Sequence, residues 1–117
     1  MTMNYLMVKN LENIISKKIV HAKKFSTRLK GLMFIDKMEG FEGMLIEPCN
    51  SIHTFFMKFP IDVIFLDREN KIVSIKRNMK PWRMTWIIAK AYKVLELPGG
   101  SLPMSIDKDD KLEICTS

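Results

Sequence analysis

The chain has 117 residues, 47% of them hydrophobic, and carries 19 Lys and Arg against 13 Asp and Glu for a net charge of +6. That length supports one domain, residues 1–117, with a core that needs no staples, and the composition excludes bulk disorder. The two cysteines, Cys49 and Cys115, form no Cys-x-x-Cys pair, which excludes a zinc ribbon and a thioredoxin-type motif.

No apolar run approaches the roughly 18 residues that a membrane helix needs. The N-terminal "MTMNYLMVKN" lacks a basic region followed by a long apolar stretch, so it does not read as a signal peptide. The expectation is a soluble cytoplasmic protein with free thiols and no membrane span.

"NYLMVKN" and "KKIVHAKK" read as strands. Between them "LENIIS" fits either a hairpin or a short helical turn. In "STRLKGLM", Ser26 or Thr27 is a candidate N-cap, and Leu29, Leu32 and Met33 fall on one face of a short helix. Gly31 weakens that helix and is expected to permit close packing against a sheet.

From "EGMLIEP" onward the signals are β. "GMLIE" ends at Pro48, "SIHTFFM" follows, and Pro60 separates it from "IDVIFLD". "LDRENKIV" is a hairpin leading into "KIVSIKR". Further strands are expected at "TWII", "YKVLEL" and "DKDDKLEIC", with a turn at "PGG" and one helical turn at "SLPMSI". Strands at such spacing predict a mainly β fold: a small barrel-like or rolled antiparallel sheet with one or two short helices.

The stretch "CNSIHTFFMKFPIDVIFLD" holds the residues that chemistry would use. On a straight strand Cys49, His53 and Met57 would share a face, a soft ligand set suited to copper(I). Four residues of strand span about 13 Å, however, so one metal reaches all three only if the chain bends. No metal or cofactor is therefore assigned. Asp62 sits between Ile61 and Val63, and a buried carboxylate needs a partner, either loop amides or a cation such as Arg28. His53 and Asp62 would make a general acid–base pair if they met. Phosphate loops and dinucleotide fingerprints are absent. The segment from Lys76 to Trp86 interleaves Lys76, Arg77, Lys80 and Arg83 with Trp82 and Trp86, the makings of a weak nucleic-acid contact at net charge +6.

The signatures "RLKGLM", "EGMLI", "SIHTFFMKFPIDVIFLD", "KPW" and "KVLELPGG" occur in an order that resembles domain-of-unknown-function family 192, over a core of about residues 28–114. One departure is Asp109-Asp110, where the family shows Gly-Asp before its last strand. Asp tolerates positive φ less well than Gly, so that turn is expected to be built differently. The resemblance implies a compact β-rich domain and supplies no activity. It brings Arg28, His53, Met57, Asp62 and Glu96 forward as residues that share a pocket. The resulting expectation is a ligand- or partner-binding or accessory module rather than an enzyme. The alternatives are a hydrolase using His53 and Asp62, and a nucleic-acid-binding β domain.

Overall fold

The computed structural model describes residues 5–11 and 13–116, with the side chains of all but 25, 26 and 29. Its frame is a seven-stranded sheet in the order β5-β4-β6-β3-β2-β1-β7. The strands are β1 (Leu6–Asn10), β2 (Asn13–Ala22), β3 (Gly43–Ile46), β4 (Ile61–Leu66), β5 (Ile72–Met79), β6 (Lys93–Pro98) and β7 (Glu113–Thr116), and one helix, α1 (Phe25–Lys30), follows β2. Among the described residues no helix is long and apolar enough to cross a membrane.

The sheet is mixed. β2 and β3 run parallel, pairing Ile19 with Gly43 through Ala22 with Ile46, whereas an antiparallel sheet was expected throughout. Parallel neighbours need a crossover, and α1 with the loop after it supplies one. Gly43 permits the close approach of three strands. A Cβ there would stand 2.7 Å from the Glu96 carbonyl oxygen and 2.8 Å from the Ile19 side chain.

The sheet rolls. Lys71 bridges Lys111, and the Ile72 amide donates to the Asp110 carbonyl at 2.8 Å, which brings the start of β5 against the segment before β7. The inside of the roll is filled by Val8, Ile19, Leu45, Ile64, Leu66, Leu95 and Leu97, among others. A second core covers the outer face, built on Met44, Ile46, Val63, Phe65 and Val94 with Leu32 and Met57 packed over them. β4 is therefore buried along its whole length, and its uninterrupted apolar run is that of a strand covered on both faces. Its even-numbered residues look into the roll, and its odd-numbered ones look at the outer core.

Several elements differ from the sequence reading. "SIHTFFM" and "TWII" are irregular chain, and the one ladder pairing beside them is an isolated bridge between His53 and Met84. Their backbone groups bond to each other across loops instead of extending the sheet. "SLPMSI" is a pair of turns without helix. The helix starts before the proposed caps, with Lys24 as N-cap and no side-chain cap, while the Thr27 hydroxyl donates to the Lys24 carbonyl at 2.8 Å. The readings that used the Ser26 and Leu29 side chains lie outside the described residues. Gly31 is not a packing glycine: an added Cβ would find only the Arg28 carbonyl, at 3.9 Å, but its φ of +50° ends the helix. Asp109 takes a φ of 74°, so the turn has the left-handed backbone that glycine would favour, carried by Asp.

Candidate functional site

Residues 49–60 and 80–91 form an irregular platform over the outer core, and Thr54 ties them together. Its amide donates to the Arg83 carbonyl at 2.7 Å. Its hydroxyl donates to the Lys80 carbonyl at 2.6 Å and accepts from the Arg83 amide at 2.9 Å. Ile52 and Thr85 exchange further bonds, and the Ile88 amide donates to Asn50. A buried hydroxyl that satisfies several backbone groups fixes a segment that has no ladder of its own. On the other side the chain after α1 closes in, with the Phe34 amide donating to the Phe56 carbonyl at 3.0 Å.

These walls leave a pocket of about 170 Å³ on the outer face of the sheet. Leu32, Ile46, Ile52 and Met57 give it an apolar body. Arg28, Lys30, Cys49, Ser51, His53, Met33 and Glu96 supply polar and soft atoms. Glu96 comes from β6, where it pairs with Met44 on one side and Val63 on the other, so its carboxyl rises from the middle of the sheet. It is only 3% exposed, and burial pushes its pKa from 4.5 up to about 7. No hydrogen bond from a described residue reaches that carboxyl group. Arg28 is steered by its Nη1, which donates to the Pro48 carbonyl at 3.0 Å.

Cys49 donates its Sγ hydrogen to the Ser51 carbonyl at 3.1 Å. Burial pushes its thiol up, and the nearby Glu96 carboxylate adds to this while Arg28 opposes it. It therefore stays a thiol at neutral pH, a poor nucleophile. His53 is exposed at the mouth and stacks on Phe55 with ring centroids 4.9 Å apart. Its Nδ1 accepts from the Phe55 amide at 3.2 Å, so in the neutral ring the proton sits on Nε2.

Four of the residues expected to share a pocket, Arg28, His53, Met57 and Glu96, line this one. Asp62 does not. It is 0% exposed, and it lies on the inner face of β4, opposite to Val63 and hence to Glu96. Its Oδ1 accepts from the Asn78 amide at 2.7 Å and its Oδ2 from the Leu102 amide at 2.9 Å. Asp62 thus ties the end of β5 and the loop after β6 together from within the roll, and the His53–Asp62 pair required for a hydrolase is not assembled.

The straight-strand geometry also fails. Residues 49–57 bend, with Phe56 at a φ of 63°, and Cys49, His53 and Met57 come to line one pocket after all. The signal available in the sequence was Pro48 and Pro60, which bracket a stretch with no period-2 burial. Lys30 and Ile46 also line it, and spacing along the chain gave no sign of them, whereas Met33 lines it beside Leu32, with which its spacing grouped it. Among the described residues no group of three or more His, Cys, Asp and Glu is placed to hold a metal ion.

Of the basic and aromatic segment, Lys76, Lys80, Trp82, Arg83 and Trp86 are exposed. Arg77 is committed elsewhere: its guanidinium donates to the carbonyls of Leu102, Pro103 and Ile106 at 2.9, 3.1 and 2.7 Å. A second groove, of about 540 Å³, runs between Trp86 and Met84 on one side and Ile75 and Met79 of β5 on the other.

Comparison with known proteins agrees with the fold and the motifs. A crystal structure of a protein of unknown function from Novosphingobium aromaticivorans superposes with a TM-score of 0.76 at 25% identity, covering 92% of this chain and 82% of that one. A second, from Sinorhizobium meliloti, gives 0.76 at 23% identity over 94% and 92%, a likeness of fold alone. UPF0127 protein PH1112 of Pyrococcus horikoshii is 39% identical over 84 residues, 68% of this chain and 70% of that protein. Two other curated relatives, from Thermococcus sibiricus and Pyrococcus abyssi, are 37% and 41% identical over 84 and 68 residues, and the match spans 53% and 56% of them. The family model for DUF192, described as "Uncharacterized ACR", matches residues 8–114, and the chain belongs to that family.

Proposed function

We propose that this protein is a ligand-binding module whose outer-face pocket takes a small carboxylic acid. The observation that carries this is Glu96: a carboxyl buried to 3% exposure, lining an open pocket, with no hydrogen bond from the described residues. A buried ionisable group without a partner costs stability. A ligand carboxylate would accept a hydrogen bond from Glu96, which is protonated below about pH 7, and pair with the Arg28 guanidinium on the same wall. The apolar body suits a short aliphatic chain. The volume is that of about five or six waters, so only a few non-hydrogen atoms fit inside. Among the described residues the lining offers no assembled general base and no activated nucleophile, which favours binding over hydrolysis.

The test is titration of the ¹⁵N-labelled protein with straight-chain carboxylates from acetate to valerate at pH 6 and pH 8. Saturable shifts at Cys49, Ser51, His53 and Glu96 are expected, tighter at pH 6, because above pH 7 the ionised Glu96 repels an anion. Arg28→Met should weaken binding at both pH values. Shifts that never saturate, or that map away from these residues, would rule the reading out.

A further inference from the structure

Nine large apolar side chains stand exposed among the described residues, and six of them belong to one region: Phe34, Phe56, Trp82, Met84, Trp86 and Ile87. The rings form a chain, with Phe34 to Phe56 at 5.2 Å between centroids and Phe56 to Trp82 at 4.7 Å. Phe34, Phe56 and Trp82 all take left-handed backbone, at φ of 69°, 63° and 65°. Bulky residues rarely adopt that conformation, and such strain persists only where the surroundings enforce it. Here the amides of Phe34 and Trp82 are held by the carbonyls of Phe56 and Thr54. The fold thus spends strain to keep aromatic rings in solvent. Beyond the ledge, Trp86 and Ile87 reach 87% and 70% exposure.

Along the segment that carries Trp82, Met84, Trp86 and Ile87 the charge has one sign, while beside Phe34 and Phe56 the exposed Asp36 is paired with Lys58 at 3.1 Å. Residues 76–90 hold five cations and no Asp or Glu. With Arg77 committed to carbonyls, Lys76, Lys80, Arg83 and Lys90 remain on the surface.

We propose that this tip docks on an anionic lipid bilayer, with Trp86 and Ile87 entering the headgroup–acyl boundary and the cations pairing with lipid phosphates. Tryptophan and aliphatic side chains ringed by Lys and Arg match that boundary in both polarity and charge. A single nucleic-acid strand, the other anionic occupant, fits less well. Ile87 and Met84 offer no face on which a base stacks, and Trp82 already packs against Phe55 and Phe56.

Both tryptophans of the chain lie in this tip, so their fluorescence reports on it directly. The full chain is titrated with vesicles of phosphatidylcholine containing phosphatidylglycerol, with pure phosphatidylcholine vesicles, and with a single-stranded oligonucleotide. The expected result is a blue shift and co-sedimentation with the anionic vesicles alone, weakened by salt. Trp86→Ser with Ile87→Ser should lower vesicle affinity about tenfold or more, since both side chains bury apolar surface on insertion. Lys80→Glu with Arg83→Glu should lower it as well while leaving the circular dichroism of the fold unchanged. Failure to bind anionic vesicles, equal binding by the Ser variant, or tighter binding to the oligonucleotide than to the vesicles overturns the proposal.

Discussion

Glu96→Gln isolates the energetic consequence of burying an ionisable group in the floor of the pocket. Burial moves the Glu96 carboxyl from an ordinary 4.5 to about 7. Between those values the folded chain holds a proton that the unfolded chain has released, so stability falls as pH rises. Below about pH 4.5 both states are protonated and there is no penalty. Above about pH 7 both are ionised and the penalty is complete. A displacement of 2.5 units corresponds to roughly 3 kcal/mol. Glutamine has nearly the same shape and no charge, so it removes this dependence, at the cost of about 1 kcal/mol for an amide without a designed partner. The variant is therefore expected to be slightly less stable than the parent near pH 4 and about 2 kcal/mol more stable near pH 8. Urea denaturation of both proteins across that range gives the difference directly, since other groups cancel in the subtraction. The Cys49 thiol, pushed above its ordinary 9.0, titrates outside the window. A stability difference that stays flat between pH 4 and pH 8 would show that Glu96 is either not buried or already compensated.

Three further substitutions probe how the frame is held. Asp62→Ala leaves the Asn78 and Leu102 amides without their acceptor and is expected to cost about 3 kcal/mol, with Asp62→Asn losing roughly half of that, both read by urea denaturation. Binding of carboxylates should survive in the Asn variant, because Asp62 faces away from the pocket. Thr54→Val keeps the shape and deletes a hydroxyl that serves Lys80 and Arg83, so about 2 kcal/mol should be lost and hydrogen exchange should accelerate at Arg83 first. Asp109→Gly should raise stability by about 1 kcal/mol, a few degrees in Tm, because glycine adopts a φ of 74° without penalty. The exposed contact of Asp109 with Lys71 at 3.8 Å is too weak to reverse the sign.

What could be read in the sequence was whatever repeats along the chain. The apolar runs of β3, β4 and β6 and the turn that opens β5 are local patterns, and the strands stand where those patterns lie. Periodicity carries no record of which strand neighbours which, so the parallel β2–β3 pair was invisible. The family resemblance, rather than residue type or spacing, grouped Arg28, His53, Met57 and Glu96, and these four line one pocket. Asp62 was misplaced because an Asp flanked by apolar residues looks the same whichever face it uses. Only the pairing of Val63 with Glu96 shows that Asp62 and Glu96 look in opposite directions. Cys49 was discounted because extended geometry kept it from Met57, and nothing in the residue types forecasts that Phe56 turns the chain with positive φ.

The division between regular and irregular chain bears on what the pocket can do. Its floor is Glu96 on β6, paired on both sides, and Gly43 lets β3 close to within a few ångströms of the Glu96 backbone. A carboxyl on so constrained a strand cannot swing out to solvent, so it must change protonation state or find a partner when its surroundings change. The walls are different. They are loops without a continuous ladder, held by scattered bonds such as those of Thr54 on one side and the Arg28–Pro48 contact on another. Segments with few ladder bonds open at lower free energy than the sheet beneath them. A ligand can therefore enter by displacing the walls without disturbing the floor. The Thr54 hydroxyl also anchors the Lys80 carbonyl and the Arg83 amide, on either side of Trp82, so the loop that lines the pocket is tied to the separate loop that carries the exposed aromatic tip. If the pocket takes a ligand and the tip docks on a bilayer as proposed, the two events act on linked loops, and each biases the other to the extent that both favour the same arrangement of that link.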